Sequence, residues 1–226
     1  MTYTYRGNFE AHITLQNYEN TQKERFLNTA NQLNVKAIVI ELARGDVPIQ
    51  PMTCSFHQGE YETVKKEVEQ LAKQLEIAGF SVSRLKIEAS PWNEHIPQTS
   101  TEAANHSPKN YFEHHTKIEI NENTSIENLL SLCQKHQAHL SKNAFKSYTN
   151  GLSEHFITLR HYTLGLQESQ AQFQLLQNEL AQSHYVLLKN ITEYCIYDSK
   201  VEVDNNWLTL NCMTCEKNCD KEKLSS

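Results

Sequence analysis

"MTCSFHQGEYETVKKEVEQLAKQLEIAGF", Met52–Phe80, and "FITLRHYTLGLQESQAQFQLLQNELAQSHY", Phe156–Tyr185, follow the same plan. Each starts as an alternating strand, turns at a glycine (Gly59 or Gly165) and continues into a long amphipathic helix. In the first copy Val64, Val68, Leu71 and Leu75 fall on one helical stripe, and Gly79 is placed to end it. A strand–turn–helix unit that returns after about a hundred residues signals an internally repeated fold.

The flanking segments complete the unit. "NFEAHITL" alternates as a strand, "TQKERFLNTANQLN" spaces Phe26, Ala30 and Leu33 for one helical face, and "KAIVIEL" and "SVSRLKIEA" read as strands. The first half is therefore β-α-β-β-α-β, the ferredoxin-like order. "YFEHHTKIEI", helix "SIENLLSLCQKHQ", a short "AHLS", the Phe156–Tyr185 segment and strand "YVLLKNITEYCIY" repeat it. The expectation is an α+β protein: two duplicated ferredoxin-like lobes, residues 1–91 and 109–208, forming a bilobal fold with a central cleft. A polar linker covers 92–108, and a cysteine-containing tail covers 209–226.

With 226 residues, 38% hydrophobic, six Gly and five Pro, the chain can bury a core without staples. A net charge of -6 argues against a duplex-DNA binder. The start "MTYTYRGNFE" lacks the basic end and apolar run of a secretory signal, and no stretch nears the ~20 apolar residues that span a bilayer. A cytoplasmic protein with no membrane partner is expected. Cys54, Cys133 and Cys195 read as reduced, buried thiols. Cys212, Cys215 and Cys219 have C-x2-C-x3-C spacing, but a closed zinc site needs four ligands, so an exposed tail is expected rather than a metal site. No G-x-G-x-x-G or G-x4-G-K-S/T occurs.

The first strand of each half carries Phe-Glu-X-His: "FEAHITL", Phe9–Leu15, and "FEHHTKI", Phe112–Ile118. Alternation sets Glu10, His12 and Thr14 on one face, and Glu113, His115 and Lys117 on the matching one. On later strands the same logic sets Thr53, Ser55 and His57 against Met52, Cys54 and Phe56, which are expected in the core. Thr158 and Arg160 oppose Ile157 and Leu159. If the polar faces converge, His12 and His115 are candidate acid/base groups, with Thr14, Thr53, Thr158, Lys117 and Arg160 as phosphate or ligand donors. Glu10, Glu113, His57 and His139 are supports. The bland alternative is a solvated sheet face.

"HITL", His12–Leu15, resembles the H-x-T/S-x motif of the 2H phosphoesterases, the superfamily of RNA 2',3'-cyclic phosphodiesterases and LigT-like proteins. That resemblance implies two ferredoxin-like halves and one histidine from each in a central cleft. It further implies hydrolysis of an RNA-derived or nucleotide phosphodiester with no metal or other cofactor. The second copy has Lys117 where the motif has a hydroxyl. The order of "YFEHHTKI", "HLSKNAFK", "FITLR" and "IYDS" is also similar to that of an uncharacterised protein group, which implies no reaction. Two alternatives stay open: a non-catalytic module binding a nucleotide or RNA-end phosphate, and an interaction protein without a ligand.

Overall fold

The computed structural model describes residues 3–121, 125–145 and 151–206. In β1 (Arg6–Gln16), Phe9, Ala11, Ile13 and Leu15 are buried in a core that also holds Phe26 of α1 (Lys23–Gln32). Val64, Val68, Ala72 and Leu75 of α2 (Tyr61–Ile77) fill the same core. Each such Val, Leu, Ile or Phe side chain, fully buried, contributes ~1.5–3 kcal/mol. Since one face of β1 is held by this packing, Glu10, His12 and Thr14 must take the other. The remaining strands of this half are β2 (Lys36–Leu42), β3 (Ile49–Glu60) and β4 (Ser81–Ala89).

After the short helix α3 (Ser100–Ala103), the second half comprises β5 (Tyr111–Asn121), α4 (Glu127–Lys135), β6 (His139–Asn143), β7 (Leu152–Tyr162), α5 (Leu166–Gln182) and β8 (Val186–Asp198). It has its own core. Ile118, Ile157 and Leu159 pack there with Leu129 of α4 and with Phe173, Leu176 and Leu180 of α5.

Strand order is β4-β1-β3-β2 in the first half and β8-β5-β7-β6 in the second. Here the structure departs from two sheets facing each other across a cleft. The free edges pair instead: Ile40–Leu42 of β2 run antiparallel to Ser141–Asn143 of β6, and Lys86–Ala89 of β4 pair with β8 between Tyr194 and Asp198. The eight strands thereby close into one barrel. Closure removes exposed strand edges and gathers the polar faces of both halves into one lumen. An eight-stranded barrel has room inside for side chains or one small ligand.

Residues 92–108, expected as a polar linker, are docked on both halves. Leu166 and Gln167 donate their N–H groups to the carbonyls of Pro97 and Gln98 at 3.0 and 3.1 Å. A Cβ on Gly165 would lie 2.2 Å from the Thr99 carbonyl carbon, so only glycine admits this approach. On the other side His106 Nδ1 hydrogen-bonds the Tyr5 hydroxyl at 2.7 Å. Cys54, Cys133 and Cys195 are free and buried, as expected. Cys212, Cys215 and Cys219 lie outside the described residues. Among the described residues no helix is long and apolar enough to cross a membrane.

Candidate functional site

A cavity of about 390 Å³ occupies the lumen, and its lining draws on strands from both halves. Antiparallel register decides which side chains share it, because directly opposed residues project to the same face. Glu10 opposes Phe56 and Glu88, His12 opposes Cys54 and Lys86, and Thr14 opposes Met52 and Arg84. In the second half Glu113 opposes Arg160 and Glu193, while His115 opposes Thr158 and Ile191.

His12 and His115 thus enter one lumen from different halves. His12 Nε2 lies 3.3 Å from Glu10 Oε1 and 3.5 Å from Glu88 Oε2. His115 Nε2 lies 3.2 Å from Glu113 Oε1 and 3.6 Å from Glu193 Oε2. Ligand atoms of Glu88, His115 and Glu193 all fall within 4.8 Å of one another, so Glu88 stands between the two rings. The His115 ring is fixed from behind by a 2.9 Å hydrogen bond between Nδ1 and Thr158 Oγ1.

The expected cationic ligand groups are already engaged. Arg160 donates to Glu113 Oε2 through Nε at 2.9 Å and Nη2 at 2.6 Å, and to Asp204 at 3.0 Å. Lys117 lines the cavity in an ion pair with Glu154. Thr14 also lines it, and is buried.

Two expectations are corrected. Thr53 and His57 are absent from the lumen: Thr53 is buried on the opposite face of β3, and His57 bonds Ser55 and Glu67 of α2, each at 2.8 Å. Met52, Cys54 and Phe56, expected in the core, line the lumen instead. Hydrophobicity set the wrong phase for β3, whereas pairing with β1 sets the right one. His139 opposes Thr158 on the ladder, so it shares the lumen face of β6 with Ser141, but it is fully buried and does not line the cavity.

Several site residues were missed. Lys86 Nζ sits 2.7 Å from both Glu88 Oε1 and Glu113 Oε1. Arg84 clamps Asp198 at 2.8 and 2.5 Å and contacts Asp204 at 2.8 Å. The signal was present in "RLKIE", where Arg84, Lys86 and Glu88 alternate with Leu85 and Ile87; a charged stripe on a strand with both neighbours paired must face something polar. Glu193 carried no such pattern.

Electrostatics separates the carboxylates. Burial alone would raise Glu10, but the His12 ring and the Cys54 thiol, which donates at 2.9 Å, hold it at about 2. Burial opposes ionisation of Glu113 too, yet Lys86 and Arg160 keep it well below the usual carboxylate range. Glu193 goes the other way, pushed well up by burial and by the charges of Glu88 and Glu10. Imidazoles flanked by carboxylates of unlike proton affinity can accept, hold and return protons.

A scan against protein-family models finds no matching family, and no curated protein matches the sequence. Solved structures give distant likenesses. A Thermotoga maritima acetolactate synthase small subunit is 9% identical with TM-score 0.28, over 84% of this chain and 95% of its own. A putative glycine cleavage system transcriptional repressor is 10% identical with TM-score 0.26, over 85% and 98%. A heme-binding protein from Thermus thermophilus is 9% identical with TM-score 0.26, over 86% and 93%.

Proposed function

We propose that the lumen is a paired-histidine acid/base site for a small ligand, and that its reaction is hydrolysis of an RNA-derived or nucleotide phosphodiester. The observation that carries this reading is the arrival of His12 and His115 from different halves at Glu88 within one cavity. One imidazole takes the proton of the attacking water, and the other returns a proton to the leaving oxygen. Glu88 sits between them to balance the transient imidazolium. The phosphodiester assignment rests on the His12–Thr14 resemblance, and the two halves read as duplicates of one βαββαβ unit.

The test is turnover of nucleoside 2',3'-cyclic phosphates and short RNAs with cyclic ends. His12→Ala and His115→Ala should each lower the rate by about 10²–10⁴-fold, as for a lost general acid or base. The double variant should lose less than the product, because groups acting as one unit are not additive. Absence of turnover across that panel by folded protein overturns the reading.

A second reading, phosphate binding without turnover, is favoured by Lys86, Lys117 and Arg160 already being ion-paired to protein carboxylates. Lys117→Thr separates the two. It should preserve hydrolysis if a hydroxyl suffices there, and weaken ligand binding with no turnover in either form if the site only binds.

A further inference from the structure

The lumen is short of positive charge. Arg84 is shared by Asp198 and Asp204, and Arg160 by Asp204 and Glu113, which leaves Lys86 as the one further buried permanent cation among the described residues, itself shared by Glu88 and Glu113. Glu10 has no buried permanent cation beside it, and Glu88 has only a share of Lys86. Lys86 lies against Glu88 Oε1 at 2.7 Å but outside hydrogen-bonding angles, so that oxygen, in a residue 1% exposed, has a charge neighbour and no hydrogen bond. His12 Nδ1 is likewise buried without a partner.

Separations around the imidazoles fit a shared cation better than hydrogen bonds. The His12 Nε2 distances of 3.3 and 3.5 Å, and the 3.6 Å from His115 Nε2 to Glu193, exceed good N–H···O lengths. Two donors on one ion at ~2.1 Å stand roughly 3.0–3.4 Å apart at octahedral to tetrahedral angles. We infer that Glu88, His115 and Glu193 form a divalent transition-metal site in the lumen, in which Glu88 of the first half joins two donors of the second and His12 stands beside Glu88.

The donor chemistry narrows the ion. Mixed imidazole and carboxylate donors suit zinc, manganese, iron or cobalt rather than calcium or magnesium. A supporting bond is in place: Thr158 fixes the far nitrogen of His115. Glu113 is outside the ligand set, because Lys86 and Arg160 occupy both of its oxygens. The ion would supply the missing charge and leave coordination positions open to the cavity. The inference does not rest on the phosphodiester reading: with Nδ1 of His115 on Thr158, an ion on Nε2 leaves that ring no proton to exchange, so the loaded site is a different state of the lumen from the acid/base one.

The experiment uses the full chain with Cys212, Cys215 and Cys219 replaced by serine, so that the tail thiols bind nothing. Chelator-treated protein is offered Zn2+ or Co2+, desalted, and assayed for retained metal and for Co2+ visible bands. The parent should retain at least one ion per chain and melt at a higher temperature when loaded. His115→Ala and Glu88→Gln should weaken binding at least tenfold. Glu193→Gln guards against misfolding as the cause: the amide keeps the shape of the side chain, so it should weaken metal binding at least tenfold while leaving the melting temperature of the metal-free protein at the parental value. No retained metal in the folded parent, or undiminished retention in all three variants, overturns the inference. Phosphodiester turnover is not read here, so either proposal can fail alone.

Discussion

The two halves of the lumen carry the same Glu-x-His with a facing glutamate: Glu10, His12 and Glu88 in one, Glu113, His115 and Glu193 in the other. Their surroundings differ. Where the first half offers Phe56, the second has Arg160, and both Arg160 and Lys86 converge on Glu113. Glu10 has only a thiol, an imidazole and the neighbouring Glu193. Glu113 is thus clamped as part of the frame, while its counterpart Glu10 is not. Near-symmetry divides structural from chemical work between equivalent residues.

The sharpest way to break this comparison is to delete both acids. Glu113→Ala leaves Lys86 and Arg160 buried without their shared carboxylate, and loss of one partner of a buried pair costs about 3–5 kcal/mol. Glu10→Ala leaves no permanent cation stranded, since its partners are a thiol, an imidazole and the Glu193 carboxyl, so it should change stability by about 1 kcal/mol or less. Urea unfolding of the two variants gives both numbers. Equal losses would show that the halves are not differentiated in this way.

A second contrast lies on the outer face. Next to Glu113 the second half has His114, fully buried; at the matching place in the first half, next to Glu10, stands Ala11. His114 hydrogen-bonds Thr192 and Ser169 at 2.9 and 2.5 Å, stacks on Phe173, and faces His161, itself bonded to Ser169. Burial, then the like charges of His161 and His115, push His114 down to about 3, against a smaller opposing pull from Glu113. Below its ordinary value of 6.5 the unfolded chain takes up a proton that the folded chain refuses. Its stability contribution is therefore complete above pH 6.5 and falls as pH drops toward 3, by up to about 1.4 kcal/mol per pH unit. Burial lowers His161 as well, which acts in the same sense. Glu193, held high, acts in the opposite sense, so the useful measurement is the difference between parent and His114→Gln, whose acid limb should be flatter. Parallel curves would remove His114 as the cause.

How much of this was legible in the chain follows from what each feature depends on. Period-two and period-3.6 patterns are local, so the element order and the lumen placement of His12, Thr14, His115, Lys117, Thr158 and Arg160 could be read residue by residue. The edge pairings β2–β6 and β4–β8 are long-range, and no alternation within "KAIVIEL" or "SVSRLKIEA" announces which edge each will meet. Because closure was unseen, Lys86, Glu88 and Glu193 were unseen as site residues. β3 failed for another reason: a lumen can take Met52, Cys54 and Phe56, so polarity alone did not say which side of that strand was inside.

That misread strand gives the smallest effect and the cleanest one. Thr53 is 1% exposed and its Oγ1 is buried without a hydrogen-bond partner. The matching place in the second half, one residue before the side chain opposite His115, is Ile157, which is fully buried in that core. A hydroxyl denied both water and a partner keeps its desolvation penalty, and an apolar group of the same shape removes it. Thr53→Val should therefore stabilise the protein by about 1 kcal/mol, seen as a higher urea midpoint with an unchanged slope. Lumen metal retention and any turnover should stay at parental values, since Thr53 faces away from the cavity. If Thr53 instead worked in ligand binding, as its hydroxyl first suggested, the same substitution would weaken binding with no gain in stability, and the assignment of β3's faces would have to be reversed.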